Sequence, residues 1–388
     1  MNFAEERERI LRPFYGWDEQ IHFCEALEEW DKEARNTAIV AFEFLKDFLG
    51  DKFPVWALKK DHSIGDYFVN NVPWTKVWFT WLAESFQELR TGKNFDQVLR
   101  DFRSEEPKKF HDALTLLEYG LKFKKAGFYV DFEQPVRNRR GKEKRPDLQL
   151  TCMKSGQVFF CEISRLTIDP LTLLYESTVE RIVHGGFKYQ KYLCFSGSLH
   201  QRLKKADFEE LTFEIDQMIQ QVGLEGKMQE LVKSGIIELA IAEHKDPSIS
   251  IWAKERGYDI NAWGLPQLNT FFRTQNKIWR KADQTSANYP SIIIIKQEDG
   301  SFRYASPQTW IHELEKTLFK CADVLAVIVT VQEFGNLDKV IHSFGENYFV
   351  QRTERYALGS RALVIFNRMY KNKKVDRKSV EQLFEEFL

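Results

Sequence analysis

Short apolar runs of strand length, separated by segments with helical periodicity, constrain the fold of this chain more than any other feature. Residues 292–295 are four consecutive isoleucines, and residues 324–331 are aliphatic except for one threonine. Continuous apolar strands that alternate with helices are typical of a sheet covered on both faces. We therefore predict an α/β fold in which a mixed sheet is flanked by helices.

The composition restricts the class of protein. With 388 residues, of which 43% are hydrophobic and 29% charged, the chain is expected to form two or three folded domains. No apolar run reaches the roughly 18–20 residues that span a bilayer, and the N-terminus MNFAEERERI lacks the apolar core of a secretory signal. The five cysteines form no CxxC pair, which favours a reducing compartment. We expect a cytoplasmic protein with no membrane partner.

Three regions differ in pattern. Residues 1–105 have helical periodicity and contain six of the ten tryptophans. An aromatic stripe at helical spacing is typical of a core, and the alternative is a docking surface for a protein partner, for self-association or for stacked bases. We expect a helical domain at 1–105, an α/β core at 106–197, and an α/β extension or second α/β domain at 198–388.

Two carboxylates are predicted to meet at one end of a β-hairpin. The β-rich runs at 147–152 and 158–163 flank a short turn, so Asp147 at the start of one strand is adjacent to Glu162 near the end of the other. Converging carboxylates repel each other unless a cation lies between them or one is protonated. A divalent ion such as Mg²⁺ prefers oxygen ligands, lowers the pKa of a bound water and stabilises charge on a phosphate.

Less specific interpretations of these acidic residues remain open. Glu162 lies in the apolar run FFCEIS, where a salt bridge to Arg145 or Arg165 also accounts for its charge. Asp147 alone is typical of a turn. Glu118, on the preceding helix, is either a third carboxylate of the site or a solvated helix residue.

Positive charge is concentrated near the pair, although the net charge is only −1. Nine basic residues against three acidic ones lie between Lys122 and Arg145. We predict a flexible loop at 136–145 that contacts a phosphodiester backbone, with a plain solvated loop as the alternative. The residues expected to bind nucleic acid are Arg137, Arg139, Arg140, Lys142, Lys144 and Arg145.

A second basic group occurs further along the chain. Lys277, Arg280 and Lys281, with Gln284, precede the strand at 292–295. They are placed to reach a phosphate, and the favourable end of a helix dipole accounts for them equally well.

At these residues the chain resembles the PD-(D/E)xK nuclease superfamily, which has the restriction-endonuclease-like fold. The order of elements over roughly residues 106–197 matches that family's αβββαβ core. The elements are a helix with Glu118, a short strand, Pro146–Asp147, a turn, a strand ending in Glu162–Ile163–Ser164, and a helix. The resemblance implies that Asp147, Glu162 and the carbonyl of Ile163 bind Mg²⁺ or Mn²⁺. It also implies that Glu118 is the acidic helix residue found in some branches.

The chain departs from the family at the lysine position, which is Ser164. The family lysine orients the attacking water and offsets charge, whereas a serine hydroxyl forms a hydrogen bond but supplies no positive charge. Candidate substitutes are Lys144, Lys154, Lys188 and Arg165. Three functions are therefore compatible with the sequence. They are a metal-dependent nuclease acting on DNA or RNA, a catalytically silent nucleic-acid-binding module on the same fold, and a protein-interaction scaffold.

Overall fold

The structure is a computed structural model in which the chain forms two compact units. It describes residues 6, 9–70, 72–138, 140–167, 170–200, 205–264, 270–298, 306–334, 337–353, 358–370, 375–384 and 387. The first unit consists of Met1–Leu166 and Phe271–Leu388, and the second unit is the insertion Thr167–Thr270. This division differs from the predicted one, which places boundaries at residues 105 and 197.

The N-terminal part of the first unit is helical, as the periodicity of residues 1–105 predicts. After a short 3₁₀-helix (Arg12–Phe14), its α-helices are Trp17–Glu25, Lys32–Leu49, Phe53–Lys59, Gly65–Val69, Pro73–Leu89, Phe95–Phe102 and Pro107–Lys125. The local sequence explains several starts. Asp31 caps one helix by accepting a hydrogen bond from the Ala34 N–H at 2.7 Å, and Pro73 and Pro107 occupy first-turn positions that tolerate proline.

The tryptophan-rich helices pack into the same hydrophobic core as the sheet. Trp17 is 2% exposed, and it shares this core with Phe128 and Ile163 of the sheet. The partly buried tryptophans Trp30, Trp56, Trp78 and Trp81 pack against it, while Trp74 is 43% exposed. The core interpretation of the aromatic stripe is therefore confirmed for all of these residues except Trp74.

The strands of both units, in chain order, are β1 (Phe128–Phe132), β2 (Val136–Arg137), β3 (Glu143–Lys144), β4 (Leu148–Cys152), β5 (Val158–Leu166), β6 (Leu193–Leu199), β7 (Gln229–Lys233), β8 (Ile237–Glu243), β9 (Ala262–Gly264), β10 (Ser291–Gln297), β11 (Val324–Phe334), β12 (Val340–Phe344), β13 (Asn347–Thr353) and β14 (Leu358–Phe366). The other helices are Pro170–Lys188, Lys205–Glu225, Pro247–Arg256, Thr270–Ala282, Pro307–Leu318 and Arg377–Phe384.

The first unit contains a mixed eight-stranded sheet in the order β1-β4-β5-β10-β11-β14-β13-β12. Its centre is parallel, because β10 pairs in parallel with both β5 and β11. The isoleucines of β10 alternate between two cores. Ile292 and Ile294 join the core shared with the N-terminal helices, whereas Ile293 and Ile295 join a second core with Trp310. The predicted mixed sheet, covered on both faces, is thus confirmed.

The second unit has its own sheet, in the order β7-β8-β6-β9. The predicted helix after Pro170 and the strand following it do form, but that strand (β6) pairs with β8 and β9. In the first unit β5 is instead followed in the sheet by β10. The helix that precedes β10 is Thr270–Ala282, so the insertion separates β5 from the next elements of its own sheet.

All five cysteines are buried and carry free thiols. Across the described ranges, no helix combines the length and the apolar character needed to cross a membrane.

A buried lysine in the N-terminal helices predicts unusual pH dependence of stability. Lys76 is fully buried, donates a hydrogen bond to Oε1 of Gln20 and lies 4.8 Å from the ring centre of Phe23. Burial lowers the pKa of Lys76 from 10.5 to about 8. Between these values the unfolded chain binds more protons than the folded protein, so the free energy of unfolding rises with pH.

We expect this rise to be on the order of 3 kcal/mol across the window from about pH 8 to 10.5. Urea unfolding at several pH values measures it, and Lys76→Met, which cannot titrate, is the control. If the stability of the wild-type protein and that of the variant change with pH in the same way, the prediction is contradicted.

Candidate functional site

Asp147 and Glu162 meet at one end of the β4–β5 hairpin. The strands are antiparallel and Leu148 pairs with Cys161, so Asp147, just before β4, faces the part of β5 that begins at Glu162. The Ile163 N–H donates a hydrogen bond to Asp147 Oδ2 at 2.6 Å. The hairpin and the adjacency of the two carboxylates are confirmed. The contact from the Ile163 backbone is made by its N–H, whereas the prediction concerned its carbonyl as a metal ligand.

A lysine from outside the hairpin connects the two carboxylates. Lys281 Nζ lies 3.0 Å from Asp147 Oδ2 and 2.7 Å from Glu162 Oε2. It comes from the last turn of the helix Thr270–Ala282, which precedes β10. Because Ile293 of β10 pairs with Glu162, a helix returning to the start of β10 brings residue 281 above Glu162. The cluster Asp147–Glu162–Lys281 is hereafter the carboxylate–lysine site.

The electrostatics of this site are unbalanced. Glu162 is 1% exposed, and its Oε1 is buried without a hydrogen-bond partner. Burial and the charge of Asp147 raise the pKa of Glu162 to about 8, against the opposing effect of Lys281. Burial acts to lower the pKa of Lys281, but the two carboxylates outweigh it and raise that pKa above its usual value. One ammonium therefore compensates two carboxylates, and the site retains capacity for a further proton or cation.

The predicted salt-bridge partners of Glu162 are wrong, although the ion pair itself exists. Arg145 lies 3.6 Å from Glu143, and Arg165 binds Glu298 at 2.6 Å. Strand alternation directs Arg165 to the face of the sheet opposite to Glu162, so this candidate substitute for the family lysine does not join the carboxylate–lysine site.

Ser164 lies on the same face as Glu162 and is 8% exposed. In the described part of the chain, no hydrogen bond joins its hydroxyl to the carboxylate–lysine site. Among the other predicted substitutes, Lys154 lies in the turn at the far end of the hairpin, Lys144 lies in β3, and Lys188 belongs to the second unit. The lysine that contacts the two carboxylates is Lys281.

Glu118 does not join this cluster, contrary to the expectation that it is part of the site. Its carboxylate lies 2.5 Å from Lys296 Nζ and accepts a hydrogen bond from Gln332 Nε2 at 3.0 Å. Lys296 stands three residues after Ile293 on β10, and Ile293 pairs with Glu162. An odd separation along a strand means opposite faces, so Glu118 and Glu162 lie on opposite faces of the sheet.

The basic segment at 136–145 is a β-ribbon, which corrects the predicted flexible loop. Strand β2 pairs with β3, and two hydrogen bonds anchor the ribbon to the chain after the helix Thr270–Ala282. Asn138 Nδ2 donates to the Asp283 carbonyl at 3.0 Å, and the Ala287 N–H donates to the Arg137 carbonyl at 3.1 Å. The exposed basic side chains are those of Arg137, Arg140, Lys142 and Arg145, Lys144 is half-buried, and Arg139 lies outside the described residues.

The sheet is open beside the carboxylate–lysine site. Strand β4 pairs with β5 only as far as Cys161, whereas β5 continues to Leu166 along β10. Over the residues that the structure describes, 163–166 therefore have no strand neighbour on the β4 side. The side chain of Asp147 is 26% exposed, so solvent reaches this carboxylate of the site.

The sequence did not single out Lys281 or Glu133 as site residues. Lys281 appeared only within a basic group, because 119 positions separate it from Glu162. The Glu133 N–H donates to the Asp147 carbonyl at 3.2 Å, and burial together with the charge of Asp147 raises the pKa of Glu133. No motif marked Glu133, since it precedes a proline-containing turn that suggests only a loop.

A metal ion at this site would have few protein ligands. Within the described ranges, no group of three or more His, Cys, Asp or Glu side chains is arranged to hold a metal. Asp147 and Glu162, with the unpartnered Oε1 of Glu162, still fit an ion such as Mg²⁺, which often takes one or two carboxylates and completes its shell with water and substrate phosphate.

No family model, curated protein or solved structure matches this chain. Its function is therefore inferred from the geometry of the site.

Proposed function

We propose that the chain is a metal-dependent nuclease of the PD-(D/E)xK type in which Lys281 replaces the lysine missing at Ser164. The observation that carries the proposal is the position of Lys281 Nζ, within 3.0 Å of Asp147 and 2.7 Å of Glu162. Two carboxylates and one lysine are the side chains that the family motif combines, although here the lysine comes from a different element.

The order of elements supports the same proposal. The helix Pro107–Lys125, strands β1, β4 and β5, the helix Thr270–Ala282 and strand β10 follow each other as α, β, β, β, α, β. The four strands are neighbours in the order β1-β4-β5-β10. We infer a restriction-endonuclease-like core that has the second unit inserted after β5, in place of the core predicted at 106–197.

Asp147, Glu162 and the Ile163 carbonyl would hold the metal ion, which supplies positive charge for the phosphate and a bound water of lowered pKa. The Ile163 N–H orients Asp147 by binding Oδ2. Lys281 stays protonated beside the carboxylates, so its N–H groups are donors for a phosphate oxygen or for the attacking water, and its charge offsets that of the transition state.

The reaction is hydrolysis of a phosphodiester. A water oxygen forms a bond to phosphorus, and the bond from phosphorus to one sugar oxygen breaks. The departing oxygen gains a proton and the attacking water loses one, so the products are a phosphomonoester and a hydroxyl. No other reactant is required.

The same ion pair favours a second candidate function, a nucleic-acid-binding module without catalysis. Lys281 already places one cation between the two carboxylates, and a lysine fixed there as a counterion would replace the metal ion instead of assisting it. The two candidates differ in turnover, because only the first cleaves a substrate.

We expect purified wild-type protein to cleave single- or double-stranded DNA or RNA in the presence of Mg²⁺ or Mn²⁺. Asp147→Asn should reduce the rate by about 100- to 1000-fold, the loss typical when one electrostatic contact to the reacting centre is removed. The control is Glu118→Gln, a matched carboxylate substitution on the opposite face of the sheet, which should cleave as wild type does.

Circular dichroism shows whether both variants are folded. Absence of cleavage by folded wild-type protein on every substrate and metal, with nucleic-acid binding intact, selects the silent module. Equal losses in Glu118→Gln and Asp147→Asn contradict the assignment of the site.

A further inference from the structure

A row of basic side chains runs along the helix Thr270–Ala282 and ends at the carboxylate–lysine site. At 3.6 residues per turn, Arg273, Lys277, Arg280 and Lys281 fall within about 100° around the helix axis. Residues four positions apart are separated by about 6 Å along that axis. The row therefore forms one continuous face, with Lys281 at its C-terminal end.

The packing of the helix fixes where this face points. Phe271 lies 4.3 Å from Trp310 between ring centres, and both Thr274 and Ile278 are 0% exposed. Phe271 and Ile278 place the adjoining side of the helix in the core that contains Trp310. Lys281 stands at the boundary of the two sides, and its side chain turns inward to the carboxylates. Of the remaining basic residues, Arg280 is exposed, and Arg273 and Lys277 are half-buried.

The electrostatic surroundings of the row are those of an anion-binding surface. The pKa of Lys277 is lowered by burial first and then by the positive charges of Lys281, Arg280, Arg273 and Lys108. The charges that act most strongly on the pKa of Lys277 are all positive. Concentrating like charges costs free energy, and a bound anion recovers it.

We propose that Arg273, Lys277 and Arg280, with Lys108 of the helix Pro107–Lys125, form a phosphate track for the sugar–phosphate backbone of one nucleic-acid strand. The track leads to the carboxylate–lysine site, whose open edge beside β5 admits the scissile phosphate. This inference rests on the proposed nuclease function and specifies its substrate. Ammonium and guanidinium contacts to phosphates position a strand without reading its bases, so binding is independent of sequence and strongly dependent on salt.

The test measures binding separately from cleavage. Fluorescence anisotropy in EDTA, where metal-dependent turnover cannot occur, gives the Kd of a labelled random-sequence oligonucleotide as a single strand and as a duplex, at several salt concentrations. The test variant combines Arg273→Ala, Lys277→Ala and Arg280→Ala. The control combines Lys32→Ala, Lys52→Ala and Lys59→Ala, which removes the same charge from exposed positions in the N-terminal helical region.

We expect the test variant to bind about 10- to 100-fold more weakly, and the slope of log K against log salt to lose about 2 to 3 in magnitude. The control should match wild type. If the triple variant does not fold, Lys277→Gln alone should reduce the slope by about 0.7 to 0.9, the value of one phosphate contact.

A test variant with the Kd and slope of the control overturns the track, whatever the cleavage assay shows. A wild type that binds neither oligonucleotide overturns it as well. If the test variant binds more weakly and the wild-type protein never cleaves, the phosphate track is supported and only the nuclease proposal is contradicted.

Discussion

Lys281→Met should strongly reduce the rate of cleavage and also destabilise the metal-free protein. The substitution removes the only cation that contacts Asp147 and Glu162 among the described residues. Breaking a buried ion pair by removing one partner costs about 3–5 kcal/mol, because the remaining charge is left uncompensated. The loss of the lysine's positive charge next to the reacting phosphate should lower the rate by about 100- to 1000-fold.

The two effects separate when metal is added. Since Mg²⁺ can replace the missing cation between the carboxylates, it should restore much of the thermal stability of Lys281→Met without restoring turnover. Thermal unfolding with and without Mg²⁺, and cleavage rates under the same conditions, measure both quantities. Lys316→Met is the matched control, because Lys316 is on a neighbouring helix with its side chain 57% exposed. Full turnover by Lys281→Met would refute the catalytic role assigned to the lysine.

Glu162→Gln should lose cleavage to a similar extent while remaining at least as stable as wild type without metal. Glu162 is buried, shares one ammonium with Asp147 and has an unpartnered Oε1. Above a pH of about 8, where Glu162 is ionised, a glutamine of the same shape removes the excess negative charge. Its oxygen can accept a hydrogen bond from Lys281 and its amide can donate one to Asp147. We expect a gain of roughly 1 kcal/mol in the free energy of unfolding.

This result would distinguish the two variants. Lys281→Met destabilises the protein and Glu162→Gln does not, although cleavage is lost in both. Urea unfolding in EDTA provides the stability values, and Glu88→Gln, at an exposed position on the helix Pro73–Leu89, controls for a general effect of removing a carboxylate. A large loss of stability in Glu162→Gln would mean that Glu162 is needed as the structural counterion of Lys281 and would favour the silent module.

The sequence was sufficient for the local parts of the site. Asp147 and Glu162 belong to a hairpin whose pairing is set by a short turn and by strand alternation, and both signals lie within about twenty residues. The burial of both faces of the sheet could be predicted from the consecutive isoleucines of β10, because this signal is also local.

Features that depend on residues far apart in the sequence could not be predicted from it. After β5 the chain continues with a helix and a strand of ordinary pattern, Pro170–Lys188 and β6, which suggested that they complete the same sheet. Nothing local distinguishes an inserted unit from the next core elements, so the true partner strand, β10, was assigned to an extension. Glu118 was misplaced for a related reason, because periodicity gives the buried side of a helix but not the face of the sheet that it covers.

Insertion of the second unit between β5 and the helix Thr270–Ala282 has a consequence for biosynthesis. Lys281 follows Glu162 by 119 positions, which at about 5–20 residues per second amounts to roughly 6 to 24 seconds of translation. During that interval the nascent chain carries both carboxylates but not the lysine or β10. The proposed nuclease would become active only after Lys281 and β10 have been made, so it would have no competent site while the segments before them leave the ribosome.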